Sequence, residues 1–175
     1  MPPPFPLRGE RCELRPWAPH DLAALVRHAN NKRVSQQLRD VFPYPYTPDD
    51  GRAFIAMAAG VDPPTALAIV VDGEPCGGIG ILPRSGNERH SAEVGYWLGE
   101  SCWGHGIGAD ALRVMMGYAV AMFRLTRLEA FAVATNTRSC RTLEKAGFAL
   151  EGRPRKSFLK DGVVHDQCAY GWVLE

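Results

Sequence analysis

The chain has 175 residues, of which 46% are hydrophobic and 22% are charged, and its formal net charge is +1. This length suits one domain with a normal hydrophobic core. The near-zero charge excludes a global field that would select nucleic acid or an anionic membrane as partner. We therefore expect a single domain over residues 1–175 with neither of those partners.

The cysteines and the apolar runs indicate the cellular compartment. Five cysteines are scattered without a C-x-x-C pair, which predicts reduced thiols and no metal site. Cys102 lies beside a glycine-rich loop and is the one candidate nucleophile among them, although no partner histidine is identifiable near it. The N-terminus lacks a signal-peptide pattern, and no apolar run approaches the roughly 20 residues that span a bilayer. We expect a cytoplasmic protein.

Strand and helix patterns alternate along the chain and predict an α/β domain. Strand patterns occupy seven segments: 10–15, 65–71, 76–82, 91–98, 127–134, 156–160 and 167–174. Helical patterns occupy 22–26, 32–38, 49–58, 109–123 and 139–146. Asp49 or Asp50 is expected to cap the third helical segment. The three prolines within 43–48 predict irregular backbone there. Asp161-Gly162 is expected to be the turn between the last two strands.

The most informative segment runs from Glu93 to Ala109. A strand leads through a short loop to three glycines at alternate positions, Gly104, Gly106 and Gly108, and then to a helix. Glycines let the backbone turn sharply and expose its N–H groups. With the unpaired N–H groups and the positive dipole end of the helix, they form an anion site that fits a pyrophosphate.

Three interpretations of this loop remain open on its own pattern. It is a glycine-rich turn without a ligand, a dinucleotide-binding fingerprint, or a coenzyme A pyrophosphate loop. The fingerprint G-x-G-x-x-G/A is formally satisfied, and Glu129 lies near the expected acidic position. However, residues 99–103 separate the strand from the first glycine, and no repeated β-α units follow. The rest of the chain favours the third interpretation.

Five stretches together resemble one known family in the right order along nearly the whole chain. They are Leu14-Arg-Pro-Trp17 with His20-Asp-Leu22, Phe42–Asp49 with Phe54-Ile55, Glu93–Leu98 with Trp103–Ala109, Asn136-x-x-Ser139 with Leu143–Phe148 and Glu151-Gly152, and Asp161-Gly162 with Asp166. The sequence resembles the Gcn5-related N-acetyltransferase (GNAT) superfamily. Within it, the likeness is to the branch of ribosomal-protein N-terminal acetyltransferases (RimJ/RimL-like).

This resemblance implies a single-domain GNAT fold. Its mixed central sheet has about seven strands flanked by about four helices and splays between the fourth and fifth strands. The co-substrate is acetyl-coenzyme A, whose pantetheine arm lies in the gap, and no metal is involved. The residues that the resemblance assigns to this co-substrate are Trp97, Leu98, Trp103, Gly104, His105, Gly106, Ile107, Gly108, Ala109, Asn136 and Ser139. Trp103 replaces the Gln or Arg of many members and is expected to pack under the loop.

The resemblance does not transfer a general acid to this chain, because many members carry a tyrosine general acid where this chain has Leu143. Leucine cannot donate a proton, so Ser139, one helical turn earlier, or water is expected to aid departure of the thiolate. An α-amino group has a pKa of about 7.7 to 8.0, so only a weak base is needed to free it. Glu93 is the first candidate for that base, with His90 and Asp166 as alternatives.

The sequence therefore predicts an N-acetyltransferase that moves acetyl from acetyl-coenzyme A directly to a primary amine, with a protein N-terminal α-amine as the expected acceptor. A small amine or an antibiotic is one alternative acceptor. A non-catalytic acyl-coenzyme A-binding module is an alternative of another class. Four aromatic residues are expected either to line an acceptor pocket or to cap the core: Trp17, Phe42, Tyr44 and Tyr46. A homodimer leaves no sign in the sequence and stays open.

Overall fold

The computed structural model describes residues 4–175, which form ten strands and five α-helices. The strands are β1 Leu7–Arg8, β2 Glu13–Pro16, β3 Ala66–Val71, β4 Glu74–Pro83, β5 Ser91–Leu98, β6 Arg127–Val133, β7 Ala149–Gly152, β8 Phe158–Lys160, β9 Val163–His165 and β10 Gln167–Val173. The helices are α1 Leu22–Ala29, α2 Lys32–Ser35, α3 Pro48–Ala59, α4 Ile107–Phe123 and α5 Thr137–Ala146. Each helix of this part of the chain is too short or too polar to span a bilayer.

Eight of the strands form one mixed sheet in the order β1-β2-β3-β4-β5-β6-β10-β7. Neighbouring strands are antiparallel except β5 and β6, which run parallel. Within the described part of the chain, the strands β8 and β9 pair with each other as a separate two-stranded hairpin. This mixed α/β sheet is the predicted fold class.

The parallel pair separates part of the way along its length. β5 and β6 are paired only from Ser91, opposite Arg127, to Glu93, opposite Glu129. β5 continues to Leu98 and stays paired with β4 throughout. The predicted splay between the fourth and fifth expected strands, 91–98 and 127–134, is therefore confirmed, and it leaves one edge of β5 open beyond Glu93.

Helices cover both faces of the sheet because its inner strands are apolar on both sides. In β3, Leu67 and Ile69 belong to the core beneath α4, whereas Ala68 and Val70 belong to a second core with residues of α1 and α3. Alternate side chains of a strand point to opposite faces, so one apolar run serves two cores. The gap between β5 and β6 opens between these two helical layers.

Short elements account for the differences from the predicted elements. The strands β1, β7 and β9 have two, four and three residues, too few to show a period in the sequence. The turn Asp161-Gly162 joins β8 to β9 rather than to the last strand. The helix predicted over 32–38 ends at Ser35, and five α-helices replace the expected four or so.

The first turn of α3 corrects the predicted cap. Thr47, rather than Asp49 or Asp50, is the N-cap residue, and Pro48 takes the first helical position. The Thr47 hydroxyl accepts the Asp50 N–H at 3.2 Å, and the Asp50 carboxylate accepts the Thr47 N–H at 2.8 Å. This reciprocal pair satisfies two otherwise unpaired donors, which a single aspartate at the cap does not achieve.

Candidate active site

A cavity of about 1210 Å³ follows the gap between β5 and β6. Its walls include Glu93–Leu98 of β5, Ala130–Val133 of β6, the glycine-rich loop and the first turns of α4 and α5. On its other side it reaches α3 and the loop before it. One continuous space therefore joins the glycine-rich loop, the open edge of β5 and the irregular segment 41–48.

The glycine-rich loop presents a row of free donors. Gly104 and Gly106 have φ values of 80° and 76°, in the left-handed region that favours glycine. The first hydrogen bond of the α4 ladder runs from the Asp110 N–H to the Gly106 carbonyl at 3.2 Å. Within residues 4–175, the N–H groups from Gly104 to Ala109 have no hydrogen-bond acceptor in the protein. Together with the helix dipole they can bind a diphosphate.

The side chain of Trp103 connects this loop to the end of β5. Its indole N–H donates to the Leu98 carbonyl at 2.9 Å, and the Arg138 guanidinium carbon lies 3.9 Å from its ring centroid. Arg33 lies over the same ring at 5.6 Å and forms an ion pair with Glu100. The indole thus engages the Leu98 carbonyl and holds two cations beside the loop.

The cavity brings together the residues predicted for the co-substrate, with one exception. Trp97, Leu98, Trp103, Gly104, Gly106, Ile107, Gly108, Ala109, Asn136 and Ser139 all line it. His105 does not: its side chain is exposed, so only its backbone belongs to the loop. Arg138, Arg141 and Lys145 of α5 also line the cavity and add positive charge.

Asn136 has a structural task that the sequence pattern did not indicate. Its side-chain oxygen accepts the Ser139 N–H at 3.2 Å and caps α5. The same contact fixes the backbone of Ser139 at the cavity wall. The carboxamide oxygen therefore caps the helix, and the amide nitrogen of Asn136 provides two donors for a ligand.

Glu93 is paired with a residue that sequence reasoning missed. The Arg39 guanidinium lies 2.5 Å from the Glu93 carboxylate, and the Glu93 side chain is 22% exposed. Both residues line the cavity. The other candidate bases lie outside its lining: His90 is exposed in a turn, and the Asp166 carboxylate accepts the Lys156 N–H at 2.8 Å.

A second contact between distant residues lies at the far wall of the cavity. The Tyr96 hydroxyl is 3.4 Å from the Ser139 hydroxyl oxygen. Burial raises the pKa of Tyr96, and the nearby hydroxyls of Ser139 and Thr142 oppose that rise only in part. Leu143 is 2% exposed and belongs to the core.

The four aromatic residues divide between the two predicted roles. Phe42 and Tyr46 line the cavity, and the Phe42 ring packs 5.3 Å from that of Trp97. Trp17 is buried in the core, with its ring 5.6 Å from that of Phe54. Tyr44 is 52% exposed.

The sheet excludes the dinucleotide interpretation. The fingerprint belongs to an open parallel sheet, whereas here a single parallel pair lies among antiparallel strands of the described chain. Glu129, the acidic residue expected to bind a dinucleotide's ribose, forms ion pairs with Arg84 and Arg127 instead. Across residues 4–175, no group of three or more His, Cys, Asp or Glu residues is arranged to hold a metal ion.

A mixed sheet split at its parallel pair, with a donor-rich loop at the end of the gap, is the arrangement of an α/β protein with space for a diphosphate-bearing ligand across the sheet. The chain belongs to the GNAT acetyltransferase family: residues 11–149 match the model of the acetyltransferase (GNAT) domain. The family expectation from the sequence is confirmed, and acetyl-coenzyme A is the donor that this family uses.

Two curated relatives from Bacillus subtilis (strain 168) are similar over part of their length. Probable N-acetyltransferase YjcK is 41% identical over 76 residues, 43% of this chain and 42% of that protein. YdaF, whose name proposes a ribosomal N-acetyltransferase, is 32% identical over 102 residues, 58% of this chain and 55% of that protein. The chain thus spans about half the length of these curated relatives.

The solved structures show the same fold over the full length. RimL, a ribosomal L7/L12 alpha-N-protein acetyltransferase solved with coenzyme A, aligns with a TM-score of 0.82 over 97% of both chains. Its sequence is 24% identical to this one. At that identity the likeness shows the fold alone, and it confirms the predicted GNAT architecture.

Proposed function

We propose that this chain transfers the acetyl group of acetyl-coenzyme A to the α-amine at the N-terminus of a protein. The observation that carries the proposal is the row of unpaired N–H groups from Gly104 to Ala109 beside the open edge of β5. A diphosphate satisfies those donors, and an extended pantetheine arm fits an open strand edge. Both features line one cavity.

The donor is held at two points in this proposal. The loop binds the diphosphate, while Arg138, Arg141 and Lys145 offset the remaining phosphate charge. The backbone near Trp97 and Leu98 aligns the thioester, and a main-chain N–H there polarises its carbonyl. Such a donor, aimed at the developing oxyanion, contributes a few kcal/mol to lowering the barrier, by analogy with roughly 3 kcal/mol for single oxyanion-hole donors.

Glu93 is the proposed base, acting on the amine directly or through a water. An α-amino group near pKa 8 is already partly neutral at pH 7.5, so a weak base suffices, whereas a lysine near 10.4 is mostly charged. The ion pair with Arg39 holds the Glu93 carboxylate at the cavity wall. A carboxylate is a weak base, which suits an α-amine better than a lysine.

The acceptor side of the cavity favours a peptide over a polycation. Its walls are largely apolar and include Phe42, Phe54, Met57, Val61, Leu82, Phe131 and Phe158. Of the described residues in the cavity lining, two are carboxylates, and both are engaged: Glu93 by Arg39 and Asp50 by Thr47. An aminoglycoside or a polyamine needs several free carboxylates to balance its charge. A peptide N-terminus brings one charge and apolar side chains.

The names of relatives agree with this acceptor. YdaF is named for ribosomal N-acetylation, and RimL acetylates the α-amine of ribosomal L7/L12. A ribosomal-protein acceptor would also place the reaction in the cytoplasm. We therefore take ribosomal-protein N-termini as the first acceptors to test.

The test is a thiol-release assay with acetyl-coenzyme A and four acceptors under matched conditions. These are a peptide with a free N-terminus and apolar residues at positions two and three, its N-terminally blocked form with an internal lysine, spermine and tobramycin. We expect turnover with the first peptide, and with the other three acceptors a kcat/KM lower by at least about tenfold. Faster turnover of tobramycin or spermine would contradict the acceptor, and binding of acetyl-coenzyme A without turnover of any amine would favour a non-catalytic module.

A further inference from the structure

Three hydroxyl side chains meet where β5 faces α5. Tyr96 comes from the strand, and Ser139 and Thr142 come from the helix; all three line the cavity. The Tyr96 ring packs beside the first turn of α4, since a Cβ built on Gly108 would lie 3.2 Å from the ring and 3.0 Å from the Thr142 methyl. The absence of a side chain at Gly108 thus leaves room for the phenol to reach α5.

Each hydroxyl has one hydrogen to donate, and either oxygen of the Tyr96–Ser139 contact could be its donor. Thr142 donates its hydrogen to the Arg138 carbonyl at 2.9 Å and has none left for its neighbours. The backbone N–H of Ser139 is bound by Asn136. Among residues 4–175, the side chain that can donate to the Ser139 hydroxyl oxygen is Tyr96, whose hydroxyl lies 3.4 Å away.

The phenol is suited to the donor role. A phenol is a stronger hydrogen-bond donor than an aliphatic alcohol, because its hydroxyl is the more acidic of the two. Burial raises the pKa of Tyr96, so the phenol keeps its proton through the neutral range. The other titratable groups near its hydroxyl are Arg138 and Cys140, both on α5. When Tyr96 donates to Ser139, the hydrogen of Ser139 is free to point into the cavity.

We propose that Tyr96 is a positioning residue that donates to the Ser139 hydroxyl and directs the Ser139 hydrogen at the departing coenzyme A sulfur. This proposal rests on the proposed acetyl transfer. The amine nitrogen bonds to the thioester carbon, the C–S bond breaks, and sulfur leaves as a thiolate with the electron pair. The proton lost by the nitrogen goes to Glu93 or water. Ser139 stabilises the thiolate by a hydrogen bond and keeps its own proton.

This arrangement accounts for the leucine at position 143. Leu143 is buried in the core and has no hydrogen to donate. The phenol in this proposal comes instead from β5 and acts through Ser139. A hydrogen bond from Tyr96 polarises the Ser139 hydroxyl, so this pair stabilises an anion better than an isolated serine does.

The kinetic test uses four variants of the full chain: Tyr96→Phe, Ser139→Ala, the double variant and Tyr118→Phe. Tyr118 is a matched control, because its buried hydroxyl donates to the Pro64 carbonyl at 2.8 Å, outside the cavity lining. We expect Tyr96→Phe to lower kcat about tenfold with the KM for acetyl-coenzyme A within about twofold. The double variant should be no slower than Ser139→Ala, and Tyr118→Phe should match the wild type.

A second measurement needs no acceptor. The pKa of the thiol of bound coenzyme A is read from the ultraviolet absorbance of the thiolate as pH is raised. Donation from Ser139 favours the thiolate, so the bound thiol should have a lower pKa in the wild type than in Tyr96→Phe or Ser139→Ala, by about half a unit to one unit. Tyr118→Phe should leave this pKa unchanged.

The two readouts separate this proposal from the proposed function. An unchanged kcat in Tyr96→Phe, or losses in the two single variants that multiply in the double variant, would overturn the positioning role while acetyl transfer stands. If no amine is acetylated, the thiol titration still decides: equal pKa values in wild type and both variants overturn the proposal, and a raised pKa in both supports it.

Discussion

The Glu93–Arg39 pair shows how one contact places a candidate base. The two residues are 54 positions apart, so no local sequence pattern predicts the contact. The ion pair holds the Glu93 carboxylate at the cavity wall, beside the space proposed for the acceptor. A carboxylate is a weak base and suits an acceptor that is already partly neutral, which is the residue-level reason for preferring an α-amine.

Replacing Glu93 by glutamine tests that role. We expect Glu93→Gln to lower kcat/KM for the peptide acceptor about tenfold at pH 7 and to bring less loss at pH 9, where most of the α-amine is neutral without help. The matched control is Glu88→Gln, an exposed carboxylate outside the cavity lining. A wild-type pH profile in Glu93→Gln would remove Glu93 from the mechanism.

Sequence reasoning named candidate residues that present backbone groups and did not name those that depend on contacts between distant positions. The loop glycines are visible because three of them, at alternate positions, lead into a helix. In the proposed mechanism, Arg39 and Tyr96 act through contacts with Glu93 and Ser139, which the fold alone brings near. Ten of the eleven residues expected to bind the co-substrate line the cavity, because it follows one continuous loop and strand, and their role stays a prediction.

At the scale of elements, the loop before α4 carries the binding hypothesis. Gly104 has a positive φ, and a Cβ built there meets no atom of residues 4–175 within 4 Å. Gly73, in the turn between β3 and β4, has a φ of 82° and equally empty surroundings. Replacing either glycine by alanine should therefore cause the same backbone strain. Gly104 borders the cavity and Gly73 does not, so the two variants form a matched pair.

We expect Gly104→Ala to weaken acetyl-coenzyme A binding by at least about tenfold, because the strained backbone turns its N–H away from the diphosphate. Both variants should lose about 1 kcal/mol of folding stability, because both positions have a positive φ. Gly73→Ala should bind acetyl-coenzyme A with the wild-type affinity. Calorimetric titration and urea unfolding measure both. Equal affinities in the two variants would mean that the loop does not hold the ligand.

Element length decided which parts of the fold the sequence could predict. The helix α4 has 17 residues with a clear helical period, and the β3–β4 turn is marked by Asp72-Gly73, both with positive φ. By contrast, β1 is two residues long and is specified by its pairing with β2. Its register arises from tertiary contacts, which no local pattern encodes.

At the scale of the whole molecule, Asp110 joins the N-terminal segment to α4. It is 3% exposed, and its carboxylate accepts the N–H groups of Glu10, Arg11 and Cys12 at 2.8 to 3.2 Å. Burial raises the pKa of Asp110, but these hydrogen bonds together hold it below its ordinary value. The contact orders the segment before β2 across about 100 positions of sequence.

The lowered pKa of Asp110 makes stability depend on pH. The stabilisation is present above the unfolded-state pKa, near 3.9, and is lost as pH falls through the lower folded-state pKa. We expect Asp110→Asn to lower the free energy of unfolding by about 2 kcal/mol at pH 7. That difference should shrink below about pH 4. Asp72→Asn, in an exposed turn, is the control, and urea unfolding at several pH values is the measurement. If Asp110→Asn had the same free energy of unfolding as the wild type at pH 7, this role of Asp110 would be contradicted.

The most direct test of the account is hydrogen exchange at the backbone amides from Gly104 to Ala109, with and without acetyl-coenzyme A. In the free protein these amides have no acceptor among residues 4–175, so they should exchange quickly. On binding, the diphosphate should protect them, while the amides of the Asp72-Gly73 turn stay unchanged. If acetyl-coenzyme A bound and all six amides stayed unprotected, the claim that this loop binds the diphosphate of the donor would be contradicted.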